Sequence, residues 1–182
     1  MKILKWLLIV AAVLAALVVA LLAYMGMLSP LKAYESKMGP YTIAYESITG
    51  PYSQTGPVFG RVFKALKVEG IEAKRGLGIY YDDPKVTPAD KLRSDCGVVI
   101  EDSQMAKFKS VSKKFKVKKI AQKNCVVVEF PIKNIFSYML GPIKGYPALA
   151  QYAKEKTLKT GMVFELYDEP AKKAYYSMEI VK

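Results

Sequence analysis

The chain has 182 residues, a formal charge of +12 and a pI near 9.5, with two cysteines and no histidine. Without histidine, Ser-His and Cys-His nucleophile pairs and nearly every common zinc site are excluded, and no metal or cofactor is expected. The basic balance favours anionic partners such as lipid head groups, and the length allows one globular domain plus a short appendage.

The first predicted element is an uncharged run, WLLIVAAVLAALVVALLAYMGML, from Trp6 to Leu28. It is longer than the about 20 residues a helix needs to cross a hydrocarbon core of roughly 30 Å. Trp6 and Tyr24 stand near its ends, where aromatic rings favour the membrane interface. The apolar region of a signal peptide is shorter, about 7–15 residues, and ends at a small-x-small site that LLAYMGML does not offer. Residues 1–28 therefore read as an uncleaved single-pass anchor, with a cleaved signal as the alternative. Lys2 and Lys5 favour an N-terminus on the inside, while Lys32 and Lys37 weaken that bias. In a bacterium the domain would then face the outer or periplasmic side.

Residues 29–182 read as the domain. Strands are expected near 31–38 and 41–49, then a helix near 57–69. Pro57 opens that helix where a missing N–H costs little. Phe59, Val62, Phe63 and Leu66 follow helical spacing, and Gly70 suits the helix end. Strands near 76–82 and 95–101 follow. The stretch KFKSVSKKFKVKKIAQK, Lys107 to Lys123, holds eight lysines. Lys114, Lys116 and Lys118 alternate with Phe115 and Val117, which predicts one face of a strand near 114–121. That face is either a solvated edge guarded against aggregation or a surface attracted to anionic lipid. Nucleic acid is not expected as a partner, since neither an arginine cluster nor a stacking motif accompanies the charge. A strand near 124–130, a helix near 146–158 starting about Pro147, and strands near 162–168 and 174–181 complete the chain. Cys96 and Cys125 lack CxxC spacing and read as buried thiols or as one disulfide.

The order of elements is thus the same twice, over about 31–108 and 114–182. Gly56-Pro57-Val58-Phe59-Gly60 recurs as Gly141-Pro142-Ile143-Lys144-Gly145, and GIYYDDP (78–84) recurs as FELYDEP (164–170). Such a repeat predicts an α+β fold of duplicated βαββ-type modules about a pseudo-twofold axis, preceded by one transmembrane helix. In this alignment Glu165 matches Ile79 and Tyr167 matches Tyr81. Strand alternation places Val163, Glu165 and Tyr167 on one face, and Met162, Phe164 and Leu166 on the other, which should pack on the helices. From the residues alone, Glu165 reads as a solvated side chain on an exposed sheet face.

Three segments, ITGPYSQTGPVFGRVFKAL, GIYYDDPKVTPADKLRSDCGVVI and SYMLGPIKGYPALAQYAKEKTLKTGMVFELYDEP, resemble the GyrI-like family of small-molecule-binding (effector-binding) domains. The resemblance covers residues 31–182. It implies a ligand groove at the junction of the two modules, and through FELY it places the family's ligand-contacting acid on Glu165. A carboxylate in an apolar groove has a raised pKa and favours a cationic or amphipathic aromatic ligand. Tyr81, Tyr167, Phe136 and Tyr138 are the candidate walls, and no second acid is evident. Two alternatives stay open: a hydrolase using a Tyr/Glu pair, as the resemblance to some relatives implies, and a protein-interaction scaffold displayed on a membrane.

Overall fold

A computed structural model describes residues 2–181. The apolar run is one helix, α1 (Lys2–Tyr24). Its Ile3–Tyr24 part has a mean hydropathy of 3.0 and none of that stretch is buried. By length and composition α1 can cross a membrane.

Among the described residues eight strands follow: β1 (Ala33–Met38), β2 (Tyr41–Thr49), β3 (Arg75–Tyr80), β4 (Arg93–Val99), β5 (Lys116–Ile120), β6 (Lys123–Pro131), β7 (Lys159–Asp168) and β8 (Lys173–Val181). They form one antiparallel sheet in the order β1-β6-β8-β7-β3-β4-β2-β5. Exchanging the two chain halves and reading from the other edge returns the same order. Three helices interrupt the strands: α2 (Thr55–Val68), α3 (Asp102–Val111) and α4 (Ser137–Glu155).

The connections decide the shape. β1 lies at one edge and β2 is next to the other, yet only Gly39 and Pro40 join them. Ala121 and Gln122 likewise join β5 to β6. The sheet must therefore curl until these two turns meet, and Gln122 Nε2 donates to the Gly39 carbonyl at 3.2 Å. The inner face gathers Met38, Ile43, Leu77, Ile79, Val99, Ile120, Val127, Phe164 and Leu166 into one buried cluster. The outer face carries the helices. Val62 and Leu66 of α2 pack on Ala44 and Val98, and Leu149 of α4 packs with Val126, Val128 and Tyr176. The apolar face of β7 thus packs inside the curled sheet rather than on helices, and Glu165 shares the helix-covered face. This reverses the expectation for the two faces, because the inner surface needs filling as much as the outer one.

α2 closes as expected, with Gly70 at φ 68° and the Ile71 N–H donating to the Leu66 carbonyl at 2.9 Å. α3 was not foreseen; Phe108 anchors it, and Lys107 Nζ donates to the Gly70 carbonyl at 2.6 Å. α4 also departs from expectation. It begins at Ser137 and runs through both Pro142 and Pro147. Each proline removes a helix hydrogen bond. The helix is held instead by a buried stripe, Ser137, Gly141, Gly145, Leu149 and Ala153. Gly141 and Gly145 let the Tyr176 ring lie directly against the helix backbone. A Cβ on Gly141 would stand 2.0 Å from Tyr176 Oη, and one on Gly145 2.7 Å from its Cδ2.

Gly141→Ala should therefore destabilise the fold by about 1–3 kcal/mol through overpacking. Among the described residues the buried Tyr176 hydroxyl has no hydrogen-bond partner, so Tyr176→Phe should be nearly neutral alone and should recover part of the Gly141→Ala loss. Thermal denaturation of the four proteins in detergent, followed by circular dichroism, measures this; additive losses would refute the contact.

Candidate ligand-binding site

The central strands β3 and β7 lie between α2 and α4 on the outer face. There β3 presents Gly76, which floors a cavity of about 650 Å³, and Gly78, whose bare Cα is covered by Tyr80 and Phe59. The cavity walls are Tyr52, Phe59, Phe63, Tyr138 and Tyr167, with Ile135 and Met139 at one side. Helical spacing explains the α2 wall. Thr55, Val58, Val62 and Leu66 are buried on the sheet, which turns Phe59 and Phe63 over β3. The Tyr167 ring meets Phe59 edge-on at 5.8 Å and Tyr138 at 5.3 Å between centroids.

Glu165 lies beneath this wall and is only 3% exposed. The phenols of Tyr146 and Tyr167 donate to Oε1 and Oε2 respectively, and Tyr80 also hydrogen-bonds the carboxylate. Among the described residues no lysine or arginine pairs with it. Burial raises its pKa above the ordinary glutamate value, although the three phenol hydrogen bonds act in the opposite direction. Burial, with the carboxylate as neighbour, pushes the Tyr80, Tyr146 and Tyr167 phenols well above their ordinary range. They are donors at any physiological pH.

The structure puts Tyr167 and Tyr138 on the cavity wall and sets Glu165 behind it, hydrogen-bonded to Tyr167 but outside the lining; the other two expected residues lie elsewhere. Phe136 lies on the exposed turn before α4, while its neighbours Ile135 and Met139 line the cavity. Tyr81 points away. It donates to Asp95 Oδ2 at 2.6 Å and accepts from Lys118 Nζ at 2.6 Å, beside Tyr45. The register explains the error. Gly78 pairs with Glu165, and Ile79 shares the inner face with Phe164 and Leu166. Ile79 therefore cannot be the counterpart of Glu165. The spatial match is Gly78-Ile79-Tyr80 with Glu165-Leu166-Tyr167, so Tyr80, not Tyr81, answers to Tyr167. A Cβ on Gly78 would stand 3.0 Å from Tyr80 Oη; the bare glycine lets the Tyr80 ring fold back toward the acid on the paired strand.

Sequence reasoning also missed the part played by Tyr146, which reaches Glu165 from the first residue of the expected helix near 146–158. It missed Glu169, a second acid on the cavity lining that accepts from the Tyr138 phenol. The lysine-rich stretch is not one free face. Lys114 pairs with Glu69, Lys118 with Asp95 and Lys123 with Glu179. Cys96 and Cys125 are both buried free thiols.

The frame is thus a curled antiparallel sheet with an aromatic-walled cavity between α2 and α4 on its outer face. The profile of the GyrI-like small molecule binding domain matches residues 36–181, and the chain belongs to that family. Human testis-expressed protein 264 is 30% identical over 165 residues, covering 84% of this chain and 51% of the relative; the mouse homolog is 29% identical over 135 residues. The chain spans about half the length of these curated relatives. The solved EcmrR C-terminal domain superposes with a TM-score of 0.58 at 11% identity, covering 84% of this chain and 98% of that one. SAV2435 bound to tetraphenylphosphonium superposes with a TM-score of 0.53 at 13% identity, covering 82% and 94%.

Its raised pKa makes the Glu165 carboxylate a cost to folding as pH rises. The folded state holds the proton more tightly than the unfolded chain, so stability falls as pH rises from the ordinary glutamate pKa through the raised one. Glu165→Gln should remove this slope and stabilise the protein at neutral pH by about 1 kcal/mol. Denaturation across pH 4 to 8, as a rough range bracketing the carboxylate window, checks the sign; a less stable Gln variant would overturn it.

Proposed function

We propose that this chain is a membrane-anchored binding domain for a cationic, aromatic amphipath, held in the cavity between α2 and α4. Glu165 carries the reading. A buried carboxylate without a cation is costly, and here it lies under an aromatic wall that attracts cations through its ring faces. A bound cation would supply the missing positive charge, and Glu169 at the cavity lining, which also pairs with Lys172 at 3.6 Å, would offer it a second carboxylate. The volume lies within the range of about 300–1,000 Å³ usual for small-molecule sites. The relative SAV2435 was solved with such a lipophilic cation, which supports the ligand class. The exchangeable strand order supports descent of the two halves from one duplicated module. The exposed apolar surface of α1 supports an anchor retained in the mature protein.

Tetraphenylphosphonium should bind the full chain in detergent saturably, and the neutral triphenylphosphine oxide should bind far more weakly. Glu165→Gln should weaken the cation at least about tenfold, near 1.4 kcal/mol, and leave the neutral compound unchanged. Affinity for the cation should fall as pH drops through the raised Glu165 pKa, because the proton replaces the ligand's charge. Isothermal titration decides it: equal binding of both compounds, or no effect of the substitution, would refute the acid's role.

A further inference from the structure

The segment after α1 is not a free tether. Met25 is buried, and Asn134 Nδ2 lies 3.1 Å from its Sδ. Gly26 sits against Pro131. Two lysines of the α4 region take up carbonyls at the end of α1. Lys133 Nζ donates to the Tyr24 carbonyl and stands 4.4 Å from the Tyr24 ring centroid. Lys144 Nζ donates to the Gly26 carbonyl at 2.9 Å and to that of Ser29. These satisfy acceptors that a helix C-terminus otherwise leaves open, and the positive charges complement its dipole. The exit of α1 is thereby clamped to the start of α4.

Between and beside those lysines lies an apolar stripe that the fold leaves uncovered. Ile135, Phe136, Met139 and Ile143 are 74%, 56%, 60% and 60% exposed. Met139 and Ile143 lie one turn apart on the side of α4 opposite its buried 137, 141 and 145, and Ile135 stands in the turn just before the helix. Ile135 and Met139 also line the cavity. An exposed apolar cluster with no packing role marks an interaction surface.

We infer that this stripe dips into the interface of the bilayer that α1 crosses, so that the cavity opens at the lipid surface and not into bulk water. The inference rests on the anchor reading proposed above. Lipid is the favoured occupant because the clamp holds the stripe beside the end of α1, within reach of the head groups. Aliphatic and aromatic side chains bracketed by lysines also have the composition of an interfacial helix on anionic membranes. An amphipath would then enter by partitioning into the membrane first, its apolar part passing Ile135 and Met139.

The test uses the full chain with Trp6→Phe, which removes the native tryptophan. Phe136→Trp and Ile143→Trp serve as separate reporters and Val68→Trp, at the end of α2 away from the cavity, as the control. Each is reconstituted into phosphatidylcholine–phosphatidylglycerol vesicles with ordinary or acyl-brominated chains. Emission from residues 136 and 143 should be blue-shifted and largely quenched by the brominated lipid, with Val68→Trp unchanged. If the protein floats with vesicles but both reporters are unquenched, the proposal fails and the anchor stands. Blue-shifted yet unquenched emission means that a second copy or another protein covers the stripe, and overturns the lipid assignment. No recovery with vesicles overturns stripe and anchor together.

Discussion

Everything in this fold depends on two short turns. Gly39–Pro40 and Ala121–Gln122 join strands that belong to opposite flanks of an eight-stranded sheet. Chain connectivity allows only one response, which is to curl. Curling separates the sheet into an inner face that fills itself and an outer face that requires helices. Every later assignment, including which side of β7 faces the cavity, follows from that division.

On the outer face the two central strands differ in one consequential way. β3 presents glycines where β7 presents Glu165 and Tyr167. Gly76 floors the cavity opposite Tyr167, while Gly78 opposite Glu165 makes room for Tyr80 to lean toward the carboxylate. The phenols of three tyrosines solvate the acid without neutralising it. Phenols donate hydrogen bonds but carry no positive charge, so the site retains an unmet charge under an aromatic wall. Burial disfavours the very charge that the aromatic wall would help to present to a cation.

The same elements couple the cavity to the N-terminal helix. α4 supplies Tyr146 to the acid, Tyr138 and Met139 to the cavity, and Lys144 to the backbone beyond α1. Its prolines weaken the intrahelical ladder, and the close contact of Gly141 and Gly145 with Tyr176 compensates through packing. One helix thus links the buried carboxylate, the cavity lining and the clamp on α1.

Much of the architecture was legible in the chain. The uncharged run of α1, the repeated order of elements, the Gly70 stop and the acid in FELY are all local signals, since hydropathy, turn chemistry and alternation act within a few residues. Tyr81 shows where such signals end. It looked equivalent to Tyr167 because YYDDP resembles LYDEP, but one residue of register sends a side chain to the other face. Pro147 similarly suggested a helix start, because the packing of Tyr176 on glycine cannot be seen from the helix sequence alone. The sequence by itself determined the elements, their duplicate order and the presence of one acid in an apolar strand. Only the tertiary structure decided that Gly78 lies opposite Glu165, that helices cover that face, and that Tyr80 and Tyr146 complete the site. Strand register and helix placement are set by contacts between residues far apart in the chain, and these have no local signature.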